Sequence, residues 1–158
     1  MASGKLTFHN AGSDSGAYLG WFDSASKTNK VTPESKEPQK NMLAVLIEGP
    51  SRIGHYFWPA FHDHDGNSFV PKDGPIIRPD GRVHSWAIHY VPRAADGQGR
   101  ITVTFDGEEQ KLTLGVKQRE AGAVFDRFGL FNLQTGGQYV DVSLDDLSYT
   151  AVTPQPQR

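Results

Sequence analysis

The chain has 158 residues, about one domain's worth, which is long enough to bury a hydrophobic core without covalent cross-links. Its 16 lysine and arginine residues nearly balance 18 aspartate and glutamate residues, and the net charge of −2 gives no electrostatic reason to expect nucleic acid or an anionic membrane as partner. The absence of cysteine excludes disulfides, thiolate metal sites and a cysteine nucleophile. The near-balance of charges suits a neutral ligand better than a polyanionic one.

The first third of the chain is predicted to form short strands separated by turns. Leu6–Phe8 and Gly16–Phe22 are apolar and aromatic runs bounded by Asn, Gly, Ser and Asp, which is typical of strands and their turns. Residues 27–40 hold two prolines and no apolar period, so they predict a long exposed loop. Met42–Ile47 is continuously apolar, which at this length favours a strand buried on both faces over a helix.

The middle of the chain predicts two more strands. His55–His64 is aromatic and is followed by Asp65-Gly66, a signal for a hairpin. Pro59 lacks a backbone donor, so this strand is expected at a sheet edge or at a bulge. His84–Val91 alternates cleanly, with Trp86, Ile88 and Tyr90 on one side.

The last third predicts two hairpins. Arg100–Phe105 and Lys111–Val116 flank a turn and form the first of them. Gln118–Phe125 is the segment that suits a helical turn. Within Phe125–Thr150 two alternating strands flank Gly136-Gly137, which predicts that they pair directly with each other.

About ten short strands with turns between them predict an all-β fold, a two-sheet antiparallel β-sandwich with one core. The single sandwich domain is expected to cover residues 5–152, and residues 153–158 are expected to be a disordered tail or linker. Residues 1–5 lack the apolar stretch of a signal peptide, and no run approaches the roughly 20 apolar residues of a membrane span. Membrane insertion is therefore not expected, and the chain is interpreted as a mature or excised domain with flanking domains in a larger protein.

Several segments, in this order, carry a resemblance to a known superfamily: GAYLGWF, MLAVLIEGP, HSWAIHYVP, GRITVTFDGEEQKLTL, AVFDRFGLFN and YVDVSLDDLSYT. Together they resemble the concanavalin A-like lectin and glucanase (laminin-G-like) jelly roll, and they are most similar to secreted domains of planctomycete-type environmental bacteria. The likeness covers roughly Leu6–Thr150. It implies a jelly-roll sandwich, a polysaccharide or glycan as partner, and an extracellular or periplasmic location.

Two active sites of that superfamily do not transfer to this chain. The glucanase branch needs a Glu-x-Asp-x-Glu strand that places two carboxylates about 5–5.5 Å apart, and this chain has no such triplet. The alginate-lyase branch would have a Gln-Ile-His strand, of which Ala87-Ile88-His89 matches the last two residues. The resemblance therefore assigns no catalytic residue.

The main candidate for a ligand site is one face of His55–His64. If Phe57 and Phe61 point into the core, alternation places four side chains on the opposite face: Tyr56, Trp58, His62 and His64. Such a face suits sugars, because aromatic rings pack against the C–H faces of pyranoses while polar groups bond the hydroxyls. Further predicted members of the site are Arg52, His55 and Glu48. In the alternative, Tyr56 and Trp58 belong to the core and both histidines lie in a solvated hairpin.

Asp145-Asp146 is the candidate metal site. In sandwich domains that look like this one, a late Asp-Asp pair often joins an N-terminal loop around a structural Ca²⁺, and Asn10–Asp14 would supply that loop. The alternative is an exposed carboxylate beside one that caps a turn or pairs with Arg127. A structural calcium ion is therefore the one cofactor expected.

The sequence therefore predicts a carbohydrate-binding module. The alternatives are a small glycan-cleaving enzyme, a glycoside hydrolase or polysaccharide lyase with Glu48 or Asp63 as acid/base, and a structural or adhesive domain. Gly-x-Ser-x-Gly, the P-loop and Gly-x-Gly-x-x-Gly are absent, so serine hydrolase and nucleotide-binding functions have no support.

Overall fold

The computed structural model describes residues 1–12, 15–26, 40–48, 54–71, 73–132 and 139–151. The predicted loop 27–40, apart from Lys40, and the predicted tail 153–158 lie outside these residues. Within the described ranges the chain forms eleven strands and one short helix. The strands are β1 (Ala2–Ala11), β2 (Gly16–Phe22), β3 (Met42–Glu48), β4 (His55–His62), β5 (Ser68–Phe69), β6 (Ile76–Ile77), β7 (Val83–Val91), β8 (Arg100–Phe105), β9 (Glu108–Thr113), β10 (Arg127–Asn132) and β11 (Val140–Tyr149), and the helix is α1 (Val116–Ala121).

The strands form two antiparallel sheets that pack against each other. One sheet has the order β11-β1-β7-β8-β9, and the other has the order β10-β2-β3-β4-β5, with β6 also paired to β4. This arrangement confirms the prediction of an all-β, two-sheet antiparallel β-sandwich. In the described part of the chain, no helix has the length and apolar character needed to cross a membrane.

The main core lies between the two sheets. Strand alternation builds it: in β8 the side chains of Ile101, Val103 and Phe105 are buried, while those between them are half-buried. The other sheet contributes the inner-face residues Leu19, Leu43, Val45, Ile47, Phe57 and Phe61. One contiguous cluster of this kind is what a single sandwich domain requires.

The six-stranded sheet is buried on both of its faces around β3. Leu43, Val45 and Ile47 point into the main core. Met42, Ala44 and Leu46 point the other way, into a second cluster that includes Tyr18 and Ala60. We call the side of this sheet that carries the second cluster its outer face. The prediction that Met42–Ile47 is buried on both sides is confirmed.

Pro59 lies in a regular strand, without a bulge. β3 and β4 pair without a break in register from Met42 and His62 to Glu48 and Tyr56. Phe57 donates its N–H to the carbonyl of Pro75, away from β3, and the nitrogen of Pro59, two residues later, faces the same way. On that side β4 pairs with β6 at its start and with β5 at its end. The missing donor of Pro59 therefore costs no hydrogen bond to β3.

The predicted hairpin within Phe125–Thr150 is wrong. β10 pairs with β2 in the six-stranded sheet, and β11 pairs with β1 in the five-stranded sheet. The chain therefore passes from one sheet to the other between these strands. Two alternating strands with glycines between them have the same local pattern whether they pair with each other or lie in opposite sheets.

The predicted strand Lys111–Val116 also ends earlier than expected. β9 stops at Thr113, Gly115 takes the N-cap position, and α1 begins at Val116. Val116 is 60% exposed, whereas Leu114, two residues earlier, is buried in the main core. The predicted helical turn exists, but it starts two residues before Gln118.

Gly20 and Gly129 are directly paired on neighbouring strands and differ in the space around them. A Cβ at Gly20 would clash with the Leu43 carbonyl and with Ala44, whereas one at Gly129 would meet nothing within 4 Å. We expect Gly20→Ala to lower the free energy of unfolding by about 1–3 kcal/mol through overpacking, and Gly129→Ala to be neutral or slightly stabilising. Urea denaturation of both variants checks this, and equal effects would contradict it.

Candidate functional site

The outer face of the six-stranded sheet carries three of the predicted ligand residues. Tyr56, Trp58 and His62 lie on it because Phe57 and Phe61 point into the main core. The regular β3–β4 register places these three residues opposite Glu48, Leu46 and Met42, respectively. For these three side chains the alternation predicted the face correctly.

Tyr56 and Trp58 form a stacked pair, with ring centroids 3.9 Å apart and planes inclined by 20°. Trp58 is only 7% exposed, so its ring is not an open platform. Tyr56 is half-buried, so its side chain is the more accessible of the pair. The structure thus combines the two predicted alternatives, because Trp58 lies on the outer face and is nevertheless buried.

His62 is buried beside Tyr18, a residue that was not predicted from the sequence to belong to the ligand site. Its Nε2 atom is hydrogen-bonded to Ser68 Oγ at 2.9 Å, and its ring makes an edge contact with Tyr18 at 5.8 Å. Burial and the nearby Glu48 carboxylate both raise the pKa of Tyr18, so its phenol stays neutral. The alternation of GAYLGWF indicates that Tyr18 and Leu19 point to opposite faces of the sheet. The strand pairing that brings Tyr18 near His62 is not visible in the sequence.

A row of small residues crosses the middle of this face. Its members are Gly129, Gly20, Ala44 and Ala60, one on each of four neighbouring strands. Larger rings from the rows on either side contact each other, Tyr18 with His62 and Phe22 with Phe131 at 4.5 Å. The small residues therefore make room for these rings to meet across the row.

Two residues predicted for the site lie in the turn after β4. Asp63 is buried, and its Oδ1 accepts the N–H groups of Asp65 and Asn67 at 3.0 and 2.9 Å. Its Oδ2 accepts the side-chain amide of Asn67 at 2.9 Å. His64 is exposed in that turn and does not continue the outer face. Asp63 therefore stabilises a turn, and the prediction that His64 shares the strand face is wrong.

His55 points the opposite way from Tyr56, into the main core, so it is not part of the ligand face. It is buried, and its ring makes an edge contact with Phe8 at 4.8 Å. Ser15 Oγ donates to the Gly12 carbonyl at 2.8 Å, so it accepts a hydrogen bond from His55 Nε2 at 3.1 Å. This leaves His55 Nδ1 as a buried acceptor with no partner among the described residues. His55 is therefore a neutral core histidine.

The two candidate acids, Glu48 and Asp63, are far apart. Glu48 is half-buried opposite Tyr56, at one end of β4. Asp63 follows His62 at the other end, about 20 Å away along the strand. Paired carboxylates that hydrolyse glycosides lie within about 9.5 Å of each other. Glu48 and Asp63 therefore cannot form such a pair. Arg52, another residue predicted for the ligand site, lies outside the described residues.

Asp145 and Asp146 lie at an irregularity in the pairing of β11 with β1. The register shifts between Ser3 and Lys5, and Asp146 has a positive φ of 50°. Asp146 Oδ2 forms an ion pair with Lys5 Nζ at 2.5 Å, and Asp145 Oδ1 accepts the N–H of Asp146 at 2.8 Å. Asp146 therefore pairs with Lys5.

Asn10, the first residue of the N-terminal loop proposed to share a calcium ion, lies in β1 and pairs with Asp141, about 13 Å along the strand from Asp145. Residues 13 and 14 of that loop lie outside the described residues. Arg127, the alternative partner, lies 3.7 Å from Asp126 instead. Among the described side chains, no three His, Cys, Asp or Glu residues are grouped closely enough to hold a metal ion. Calcium binding stays a prediction.

Comparison with known proteins identifies no relative of this chain. No protein-family model, no curated protein and no solved structure matches this chain. The likeness to concanavalin A-like domains stays a prediction.

The buried His55 predicts acid-sensitive stability. Burial lowers its pKa in the folded protein, whereas in the unfolded chain a histidine has a pKa of about 6.5. The unfolded state therefore binds more protons below about pH 6.5, and the free energy of unfolding should fall as the pH drops through that value. We expect His55→Gln, whose amide can still donate to Ser15, to flatten this acid-side slope in urea unfolding between about pH 5 and pH 8.

The control is His89→Gln at an exposed strand position, which should keep the slope of the unaltered chain. An unchanged slope in His55→Gln, or the same flattening in both variants, would contradict the assignment.

The calcium prediction is tested by thermal unfolding with Ca²⁺ and with EGTA. Binding to the folded state would stabilise it by about 2.7 kcal/mol at a free ion concentration about a hundred times Kd. Lys5→Ala removes the ammonium group that competes with Ca²⁺ for Asp146, so it should enlarge the stabilisation by Ca²⁺. Asp146→Ala should abolish this stabilisation. Identical melting curves with Ca²⁺ and EGTA, in both the original chain and Lys5→Ala, would exclude the site.

Proposed function

We propose that the outer face of the six-stranded sheet binds carbohydrate, a polysaccharide or glycan outside the cell, and that the chain is a concanavalin A-like sandwich module. The observation that carries the proposal is the half-buried side chain of Tyr56, stacked on the buried ring of Trp58 and paired with Glu48 on the neighbouring strand. An apolar ring next to a carboxylate is the combination that sugar recognition uses, because a pyranose has both C–H faces and hydroxyl donors.

The stack holds the Tyr56 ring in place before a ligand arrives. Trp58 is buried, so it cannot move away, and its ring plane lies within 20° of that of Tyr56. A ring already held in its bound orientation loses little conformational entropy on binding. A sugar ring would therefore meet a surface that is ready to accept it.

Neighbouring residues extend this surface in both directions across the strands. Ile76 on β6 pairs with Tyr56 and is 40% exposed, which adds apolar area on one side. Glu48 on β3 adds carboxylate oxygens on the other side, where they can accept hydrogen bonds from hydroxyls. Across the three strands the surface therefore presents an apolar side chain, an aromatic ring and a carboxylate. This arrangement favours a neutral sugar over a polyanion, in agreement with the net charge of −2.

Two stacked tyrosines provide a matched test. Tyr149 is 49% exposed and stacks on Phe128 with centroids 4.3 Å apart, as Tyr56 stacks on Trp58. We expect Tyr56→Ala to weaken binding to a responsive polysaccharide by about tenfold or more, which is the loss of a binding hot spot. Tyr149→Ala should leave the affinity unchanged. Affinity electrophoresis over a polysaccharide panel, with melting temperatures for both variants, measures this.

Equal affinities for Tyr56→Ala and the unaltered chain would contradict the proposed site, as would an equal loss in Tyr149→Ala. Binding of no glycan in the panel would contradict the proposed function and favour a structural domain. Release of reducing ends or unsaturated uronates during incubation would show that the chain is an enzyme instead.

A further inference from the structure

One end of the sandwich is closed by residues 114–126, which we call the end strap. On the side of the five-stranded sheet, Leu114 donates its N–H to the Gly99 carbonyl at 2.9 Å. On the side of the six-stranded sheet, the Gly122 carbonyl accepts the N–H of His64 at 2.9 Å, and Asp126 donates its N–H to the Phe22 carbonyl at 3.1 Å. The strap is therefore held at both sheets and spans the gap between them.

A cavity of about 180 Å³ lies under the end strap. The residues that line it come from both sheets and from the strap itself: Leu43, Phe61, Tyr90, Leu114, Gln118, Arg119, Gly122, Ala123 and Phe125. This cavity continues the main core, because Leu43, Phe61 and Leu114 belong to that core. It lies between the sheets, whereas the proposed carbohydrate surface lies on the outer face.

The part of the cavity next to the main core suits an apolar ring. A cavity of about 150 Å³ in another protein has room for benzene; this one is somewhat larger, is open to solvent on one side, and takes its apolar lining from the buried Leu43, Phe61 and Leu114 together with Phe125. A six-membered ring placed there would make van der Waals contacts with Phe61 and Phe125, which lack partner atoms on the side that faces the cavity.

The mouth of the cavity is cationic. Arg119 lines the cavity and is also exposed, and it donates a hydrogen bond from NH1 to the Tyr90 hydroxyl. Gly99 makes room for this pair, since a Cβ there would lie 3.0 Å from the Tyr90 hydroxyl oxygen and 3.1 Å from Arg119 Cδ. Among the described lining residues none carries a carboxylate, and Arg119 has no acidic partner within the described chain. The guanidinium therefore retains donors for an anion.

We propose that this cavity binds a small aromatic or cycloaliphatic carboxylate. Its ring lies between Phe61 and Phe125, and its carboxylate pairs with Arg119 at the mouth. The Tyr90 hydroxyl accepts from Arg119, so its own proton is available to a second carboxylate oxygen. Arginine suits this role because its planar fork of donors matches the geometry of a carboxylate.

The experiment titrates the full chain with three probes and follows the methyl resonances of Leu43, Leu114 and Ala123 by NMR. Benzoate has both the ring and the charge, benzamide has the ring without the charge, and acetate has the charge without the ring. The variant is Arg119→Gln, which changes an exposed side chain and should leave the fold intact. The control is Arg82→Gln, at an arginine whose side chain is 80% exposed and which does not line the cavity.

We expect benzoate to shift all three methyl resonances and to bind at least about tenfold more tightly than benzamide or acetate. Arg119→Gln should reduce the affinity for benzoate by a similar factor, and Arg82→Gln should not change it. The proposal is overturned if benzoate leaves the three resonances unmoved, if benzamide binds equally well, or if Arg119→Gln binds benzoate as tightly as the original chain. None of these outcomes bears on glycan binding at Tyr56.

Discussion

Burial of both faces of β3 is the constraint on which the rest of this structure depends. Leu43, Val45 and Ile47 fill the main core, and the residues between them fill the second cluster on the outer face. A slip of one residue would exchange these two sets, so the register with β2 and β4 is strongly specified. The positions of Tyr56 and Trp58 follow directly, because β4 takes its register from β3 without an irregularity.

The same two strands serve both proposed sites through alternate residues. On β4, Trp58 points to the outer face and supports the side chain of Tyr56, whereas Phe61 points inward and lines the cavity under the end strap. On β3, Leu43 likewise lines the cavity, while Glu48 flanks Tyr56. Two chemically different surfaces therefore share one rigid scaffold, and each can be altered without changing the residues that form the other.

Polar residues near turns stabilise this fold, and Asp63, a candidate acid in the sequence, is one of them. Asp63 accepts three hydrogen bonds from its own turn. Asp106, in the turn after β8, is exposed and also accepts hydrogen bonds: partial burial raises its pKa, but hydrogen bonds from His84 and Ser85 outweigh this and lower the pKa overall. The buried carboxylate of Asp63 needs such donors, since leaving it without them would be costly. Carboxylates and imidazoles near turns are therefore weak evidence of catalysis in this chain.

The sequence by itself determined most of the strands, the sandwich class and, within regular strands, which residues share a face. Alternation is a property of one strand, so Ile101, Val103 and Phe105 could be assigned to a common face, as could Tyr56 and Trp58, before any partner was known.

Only the tertiary structure decided what covers each face and which strands pair. It placed β10 and β11 in different sheets, buried Trp58 on the outer face, and gave Asp146 the distant Lys5 as its partner. It also created the cavity under the end strap, whose lining residues come from separate parts of the chain. These outcomes depend on contacts between residues far apart in sequence, about which a local period of two carries no information.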